Sequence, residues 1–495
     1  MYLPPSPKTP ITQKPLTGNG SLMIPLDNVG DVVLFSTRED LMSYLVQSRN
    51  VMEKLMNVFN IPTMTRTDLL LVETLAPEAK VGAQVFGQTA SAVEGRYYSM
   101  TNVQVQGIDE ADIVKTDGTY IYLLKKVYEE NTLWSRIYVI KAYPPEEADI
   151  VNVIEIPNIT VSGIYVYNEL LIAIGSRIQY NIVREYRTVE IDESIVGSIA
   201  IEHPYNIEQT KLLIYNVSSG TPALVFNTTI DGWEIGSRLY NGTLYIITSL
   251  PVYDYEGEII IPTINGREIA ANRIIAPKDD MPEKYVIVYR LDLDRFMEAF
   301  NAFILEDASD IYMSYTSLYI MHRSAYAERI VGLTSSIGGE ISLETLNETI
   351  IGIINNESMP MPQRIEMIIE VLEERIGNET TTTIMIEPVI TVAPRVFWEE
   401  ETIIYRFAIN DLNMTYIGKA NVPGYTLDPF SYSEYNNLFY IATHVWSNDS
   451  NSIYVVNITT MEIIGKLENI EPGMDIYAAR FMGTRAYLIT YRRRD

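Results

Sequence analysis

One short pattern recurs six times in this chain and restricts its fold more than any other feature. It is a brief β-prone run, a tight turn, and a second run that alternates apolar and polar residues. It stands first as DIVKTDGTYIYLL from Asp112, turning at Asp117-Gly118. It returns as GIYVYNELLIAIG from Gly163, turning near Asn168, and as GSRLYNGTLYIIT from Gly236, turning at Asn241-Gly242. Three further copies are DIYMSYTSLYIMH from Asp310, FSYSEYNNLFYIATH from Phe430 and IYAARFMGTRAYLITY from Ile476. Asp-Gly and Asn-Gly between alternating runs mark hairpins, because these residues tolerate the positive φ of a tight turn.

A third β-rich run follows each of the first five hairpins: RIYVIKAY from Arg136, TKLLIYNV from Thr210, YVIVYRLD from Tyr285, TIIYRFAI from Thr402 and NSIYVVNI from Asn451. A fourth completes most units, as in VNVIEI from Val151, ALVFNTT from Ala223, MTYIGKANV from Met414 and MEIIGKLEN from Met461. MEAFNAFIL from Met297 is poorer and suits a helix as well as a strand. Four strands per unit, repeated at blade-like spacing, predict an all-β propeller of four-stranded blades. About five and a half blades are expected. The sixth unit ends after two strands, which implies a chain truncated from a ring of seven or so.

The expected division is an N-terminal arm over residues 1–100 and a propeller over 101–495, with a helical insertion at 322–401 inside one blade. In the arm, Ser36-x-x-Glu39 reads as a capping box ahead of an apolar stripe at Leu41, Leu45, Ser48, Met52, Leu55 and Phe59. Three connections between second and third strands are long: Ser176–Gln209, Leu250–Lys284 and His322–Glu401. All three should stand on one face of the ring. The last carries two helical patterns, from Ser342 and from Pro362, read equally as a self-packed hairpin or as a lid.

Composition removes whole classes of chemistry. There is no cysteine, so no disulfide, thiolate metal site or iron–sulfur cluster. His203, His322 and His444 lie far apart in sequence. No nucleotide loop, nucleophile elbow or zinc-protease motif is present. A net charge of −27 disfavours nucleic acid and anionic lipid. No run is long and apolar enough to span a membrane, and the Pro-rich start shows no signal peptide. N-x-S/T acceptors begin at Asn19, Asn158, Asn216, Asn227, Asn241, Asn347, Asn356, Asn378, Asn413, Asn448 and Asn457. Chance predicts roughly four, which points to a secreted glycoprotein, against a plainer reading as Asn-rich turns.

The segment TNVQVQGIDEADIVKTDGTYIY, Thr101 to Tyr122, resembles the opening of a family of secreted prokaryotic proteins with a C-terminal β-propeller, distantly related to WD repeats. VPGYTLDPFSYSEYNNLFYIATH from Val422 and IGKLENIEPGMDIYAARFMGTRAYLITY from Ile464 resemble its later blades. The family's usual Asn and Arg-Val-Ala-Thr strand are replaced here by Asp428 and Tyr440-Ile441-Ala442-Thr443. The resemblance implies a secreted or cell-surface propeller without established catalytic residues. Abundant Ile and Tyr fit a thermophilic, archaeal source.

Candidate binding residues are the acids on the approaches to inner strands: Asp109, Glu110, Asp112, Asp231, Asp307, Asp310, Asp428 and Asp475. Converging near the axis, they would suit Ca²⁺, a hard cation that takes several oxygen ligands, or a basic partner. The alternative is that they fix loop backbone. No cofactor is otherwise expected. The function expected is non-enzymatic binding of a protein or glycan at the cell surface, against a secreted hydrolase acting on glycans or peptides.

Overall fold

A computed structural model describes residues 31–58, 90–93, 96–99 and most of 103–492; within the last range, 130–131, 192–193, 219–220, 254–257, 325–348, 378–400 and a few single positions fall outside the description. The chain is an all-β propeller of four-stranded antiparallel blades strung in sequence order. Blade one comprises Val114–Thr116, Tyr120–Glu129, Thr132–Lys141 and Asp149–Pro157. Blade two is built on Thr160–Tyr167, Leu170–Ile191, Ser194–Asn216 and Ala223–Asp231. Blade three uses Trp233–Tyr240, Thr243–Pro251, Lys284–Asp292 and Met297–Leu305. Blade four comprises Asp310–Met313, Ser317–Ser324, Glu401–Asn410 and Asn413–Pro423. Blade five comprises Tyr432–Tyr435, Leu438–Val445, Ser450–Asn457 and Ile463–Ile470. The last sheet pairs Asp475–Met482 with Arg485–Tyr491.

The turn residues act as their chemistry requires. Asn168, Asn241 and Asn436 carry φ near +50°, and Gly118, Gly242 and Gly483 are also at positive φ. Some strand tyrosines face solvent, such as Tyr128 and Tyr477, and others are wholly enclosed. Tyr122, Tyr165, Tyr245, Tyr285, Tyr289, Tyr319, Tyr405 and Tyr454 are fully buried between blades. Most of these hydroxyls reach an oxygen, as Tyr122 does to Asp117 at 2.9 Å and Tyr319 to Glu434 at 2.6 Å. A buried ring is tolerated when its hydroxyl is satisfied.

A recurrent polar contact ties each of several blades to the next. A short side chain on the third strand reaches a carbonyl of the connection leading out. Ser135 donates to Ile159 O at 2.8 Å, Thr210 to Gly232 O at 2.8 Å, Thr402 to Gly424 O at 2.7 Å, and Asn451 to Met474 O at 2.8 Å. At Gly424, with φ of +85°, a Cβ would stand 2.5 Å from the His444 carbonyl, so only glycine fits. Thr402→Val keeps the shape and strands one buried carbonyl; it is expected to cost about 1–3 kcal/mol in urea unfolding.

One open reading is settled and two expectations need correction. Met297–Leu305 is a strand, because it pairs along its whole length with Lys284–Asp292 and buries Ala302, Phe303 and Ile304. The connection Ser176–Gln209 is no loop. The second and third strands of blade two continue as one hairpin, in register from Asn216↔Leu170 to Ser194↔Ile191. Its fifteen residues beyond Ser176 extend about 50 Å at about 3.3 Å per residue. The capping box of helix α1, Arg38–Val58, sits one residue later than read. Thr37 Oγ1 accepts from Asp40 N at 3.1 Å, and Asp40 Oδ2 accepts from Thr37 N at 2.9 Å.

The arm and insertions pack as outer layers on the blades. Val32–Leu34 pairs with Ile274–Pro277, which runs parallel to Met297–Leu305 and widens blade three to six strands. Leu41 and Leu45 of α1 enter the core between blades two and three. Val51 meets Met281 of the second insertion and Ile350, Ile365, Ile368 and Ile369 of the third. The last three lie on helix α2, Met361–Gly377. This is the helix expected from Pro362. Residues 342–348, the first half of the earlier helical pattern, lie outside the described residues, as does Phe59. The α1 stripe is thus a packing face, and α2 packs against α1 and the second insertion.

Candidate functional site

The segment that carried the family resemblance lies across the ring. Asp112 and Ile164 exchange backbone hydrogen bonds at 3.2 and 2.9 Å, tying it to the inner strand of blade two. Asp109 and Leu239 do the same at 2.8 and 2.9 Å on blade three. Tyr315 of blade four donates to Gln106 O at 2.8 Å, and Gln104 Nε2 donates to Pro429 O ahead of blade five. One short stretch therefore touches four blades, with Ile108 buried in the core between blades three and four.

Two of the three acids of this stretch pair with internal cations, and the third bonds the backbone. Lys115 Nζ, with its side chain 6% exposed, bonds Asp109 Oδ1 at 2.7 Å and Glu110 O at 2.7 Å. Glu110 faces Arg238 at 3.5 Å and accepts from Gln104 N at 3.1 Å. Asp112 Oδ1 accepts from Ile113 N at 2.7 Å.

The other candidates are dispersed among blade junctions. Asp231 is buried and accepts from Gln209 and from both Thr263 N and Thr263 Oγ1, each at 2.8 Å, holding the second insertion to blade two. Asp307 bonds Lys284 at 2.5 Å and Ala308 N at 2.7 Å. Asp310 accepts from Ile311 N at 3.0 Å and stands near the buried Tyr432 hydroxyl, whose pKa burial and this carboxylate raise. Asp428 lies outside the described residues. Among the described residues these candidates do not share one cluster of ligand atoms; Asp109, Glu110, Asp231, Asp307 and Asp310 each bond a nearby side chain or loop amide instead. Among the described residues, one group of three or more potential ligands has its atoms within 4.8 Å of one another: His444, Asp449 and Asp475. The sequence pointed to Asp475 alone. Its partners were hidden because the signal, a histidine five residues before an aspartate, is common.

A second buried network fastens the insertions. Tyr405 donates to Asp280 and lies 3.2 Å from His322 Nε2; Lys419 stands 3.2 Å from Asp280 and 3.8 Å from Asp279. Arg364 of α2 bonds Asp279 and donates to Met359 O at 2.7 Å. Burial holds His322 below its ordinary pKa of 6.5, with Asp280 and Asp307 opposing that shift.

Of the glycosylation candidates, Asn158, Asn227, Asn241, Asn356, Asn413 and Asn448 are exposed, while Asn216 and Asn457 are half-buried. Asn158 and Asn241 also serve turns at positive φ. Asn19, Asn347 and Asn378 lie outside the described residues. Among those described, no helix is long and apolar enough to cross a membrane.

Four-stranded antiparallel sheets strung around an axial segment define a β-propeller. Residues 98–495 match the family model described as a beta propeller domain, and the chain belongs to that family. An uncharacterized protein of Methanocaldococcus jannaschii is 26% identical over 428 residues, which span 82% of this chain and 60% of that protein. Another, of Archaeoglobus fulgidus, is 26% identical over 498 residues, 95% of this chain and 71% of that protein. Both relatives are archaeal, in keeping with the composition.

Proposed function

We propose that this chain is a binding and structural module of the archaeal cell surface and works without catalysis or a cofactor. The observation that carries this reading is the cap that α1 and α2 build with the second insertion, fixed by the Asp279–Asp280 network, together with the long hairpin that blade two extends. A rigid, pre-organised surface binds without the cost of ordering loops. The expected partner is a protein or glycan of the envelope, and the acidic surface favours basic groups. Exposed acceptor asparagines support an extracellular setting. A hydrolase built on a carboxylate pair would need those acids available for proton transfer, and Asp109, Glu110, Asp231 and Asp307 are each bonded to internal donors.

The test replaces residues 180–206 by Asn-Gly, which closes the hairpin at Gln179 and Ile207. Cosedimentation with purified archaeal envelopes should weaken by about tenfold or more while the ring stays folded. Unchanged binding, or release of new reducing ends or amines by the intact chain, would overturn the reading.

A further inference from the structure

The junction between blade five and the last sheet holds a buried histidine with one ring nitrogen that makes no hydrogen bond. His444 is 1% exposed, on the second strand of blade five. Its Nδ1 lies 3.0 Å from Asn451 Oδ1. Asn451 Nδ2 donates to Ile470 O at 3.1 Å and Met474 O at 2.8 Å, so the amide is fixed with its oxygen toward the imidazole. Nδ1 must then be the protonated nitrogen, and Nε2 is left with a lone pair. That lone pair has no hydrogen-bond partner. It faces two carboxylate oxygens, Asp449 Oδ1 at 3.7 Å and Asp475 Oδ1 at 3.8 Å.

A buried nitrogen lone pair with two carboxylate oxygens near it is a ready set of donors for a cation. A proton on Nε2 would supply one charge, but both carboxylates are too far for a good hydrogen bond to it. A divalent ion fits the spacing better. Ligands at about 2.0–2.1 Å in a tetrahedron stand about 3.3 Å apart, so each imidazole–carboxylate spacing would close by about half an ångström. The backbone is arranged for it. Asp449 takes the left-handed conformation, φ 46° and ψ 51°, and its carbonyl accepts from Gly473 N at 2.7 Å, which draws the two loops together. Tyr425 and Trp446 wall the imidazole with ring centroids 5.7 Å away. The Nδ1 contact to Asn451 is the outer-shell hydrogen bond that metal-bound histidines use to set their tautomer.

We infer that His444, Asp449 and Asp475 bind a divalent transition cation of the zinc type, which cross-links the second strand of blade five to the entry of the last sheet. One imidazole and two carboxylates suit zinc, cobalt or manganese; calcium prefers a shell of oxygens alone. The Asp449 side chain is 63% exposed, which leaves the ion a route in and room for a water ligand.

The experiment is a zinc titration of tag-free, chelator-treated chain by calorimetry, with hydrogen exchange of residues 475–491 as a second readout. Because replacing a buried histidine can prevent folding, the decisive variant is Asp449→Gly. Glycine accepts the left-handed backbone without strain. The expected result is one zinc per chain, slower exchange in the last sheet, and affinity lowered roughly 10–100-fold in D449G. Cobalt should give a visible spectrum lost in the same variant, and calcium should give neither response. Absence of saturable zinc binding, binding untouched by D449G, or an equal response to calcium would each overturn the assignment.

Discussion

Lys115→Met is expected to destabilise the ring by about 3 kcal/mol, the low end for breaking a buried ion pair because Asp109 remains a quarter exposed. The cost falls on Asp109 and on the Glu110 carbonyl, which would both face a thioether instead of an ammonium. Asp109→Asn in the same chain should restore part of the loss, since the stranded charge is then gone. Ile108→Ala attacks the same segment from its apolar side. It should cost about 2–5 kcal/mol, because the side chain lies in the core shared by blades three and four. Urea unfolding checks all three. If the acids of this segment instead served an external cation, calcium would rescue Lys115→Met and raise the stability of the parent chain. The internal pairing predicts neither.

This result bears on what the sequence disclosed. The hairpins were legible because Asn and Asp at tight turns leave a local mark, and each blade repeats it. The axial segment was legible only as a family resemblance and a run of acids. Its function as a tie depends on Lys115 six residues on, and on Arg238 and Tyr315 far along the chain; no local pattern announces such partners. The long hairpin of blade two was misread as a loop because loop length and strand length look alike when neither face is continuously apolar. Met297–Leu305 was ambiguous for the converse reason: its apolar run is buried on both sides, and periodicity is lost there. His444 stood in plain view in a strand, yet its lone pair is exposed to Asp449 and Asp475 only after Asn451 fixes the tautomer.

The other large effect is expected at Asp280, whose side chain is 1% exposed. It accepts from Tyr405 and pairs with Lys419, while its neighbour Asp279 holds Arg364 of α2. Asp280→Ala leaves Lys419 with Asp279 at 3.8 Å as its nearest acid, and leaves the Tyr405 hydroxyl without its acceptor. The cost should be about 3–5 kcal/mol. It should appear first as faster hydrogen exchange in α2, because the network joins that helix to blade four. Acid should loosen the same place. His322 is held below 6.5 in the folded chain, chiefly by burial, so the unfolded chain takes up its proton first as pH falls. The stability His322 contributes is complete above that pH and declines as pH drops through the folded value. His322→Phe should therefore flatten the acid side of the stability profile below about pH 6.5, whereas Asp280→Ala should lower the profile at neutral pH as well. A cap fastened by this network is a surface set before any partner arrives, which is what a binding face requires and a hinged lid would not need.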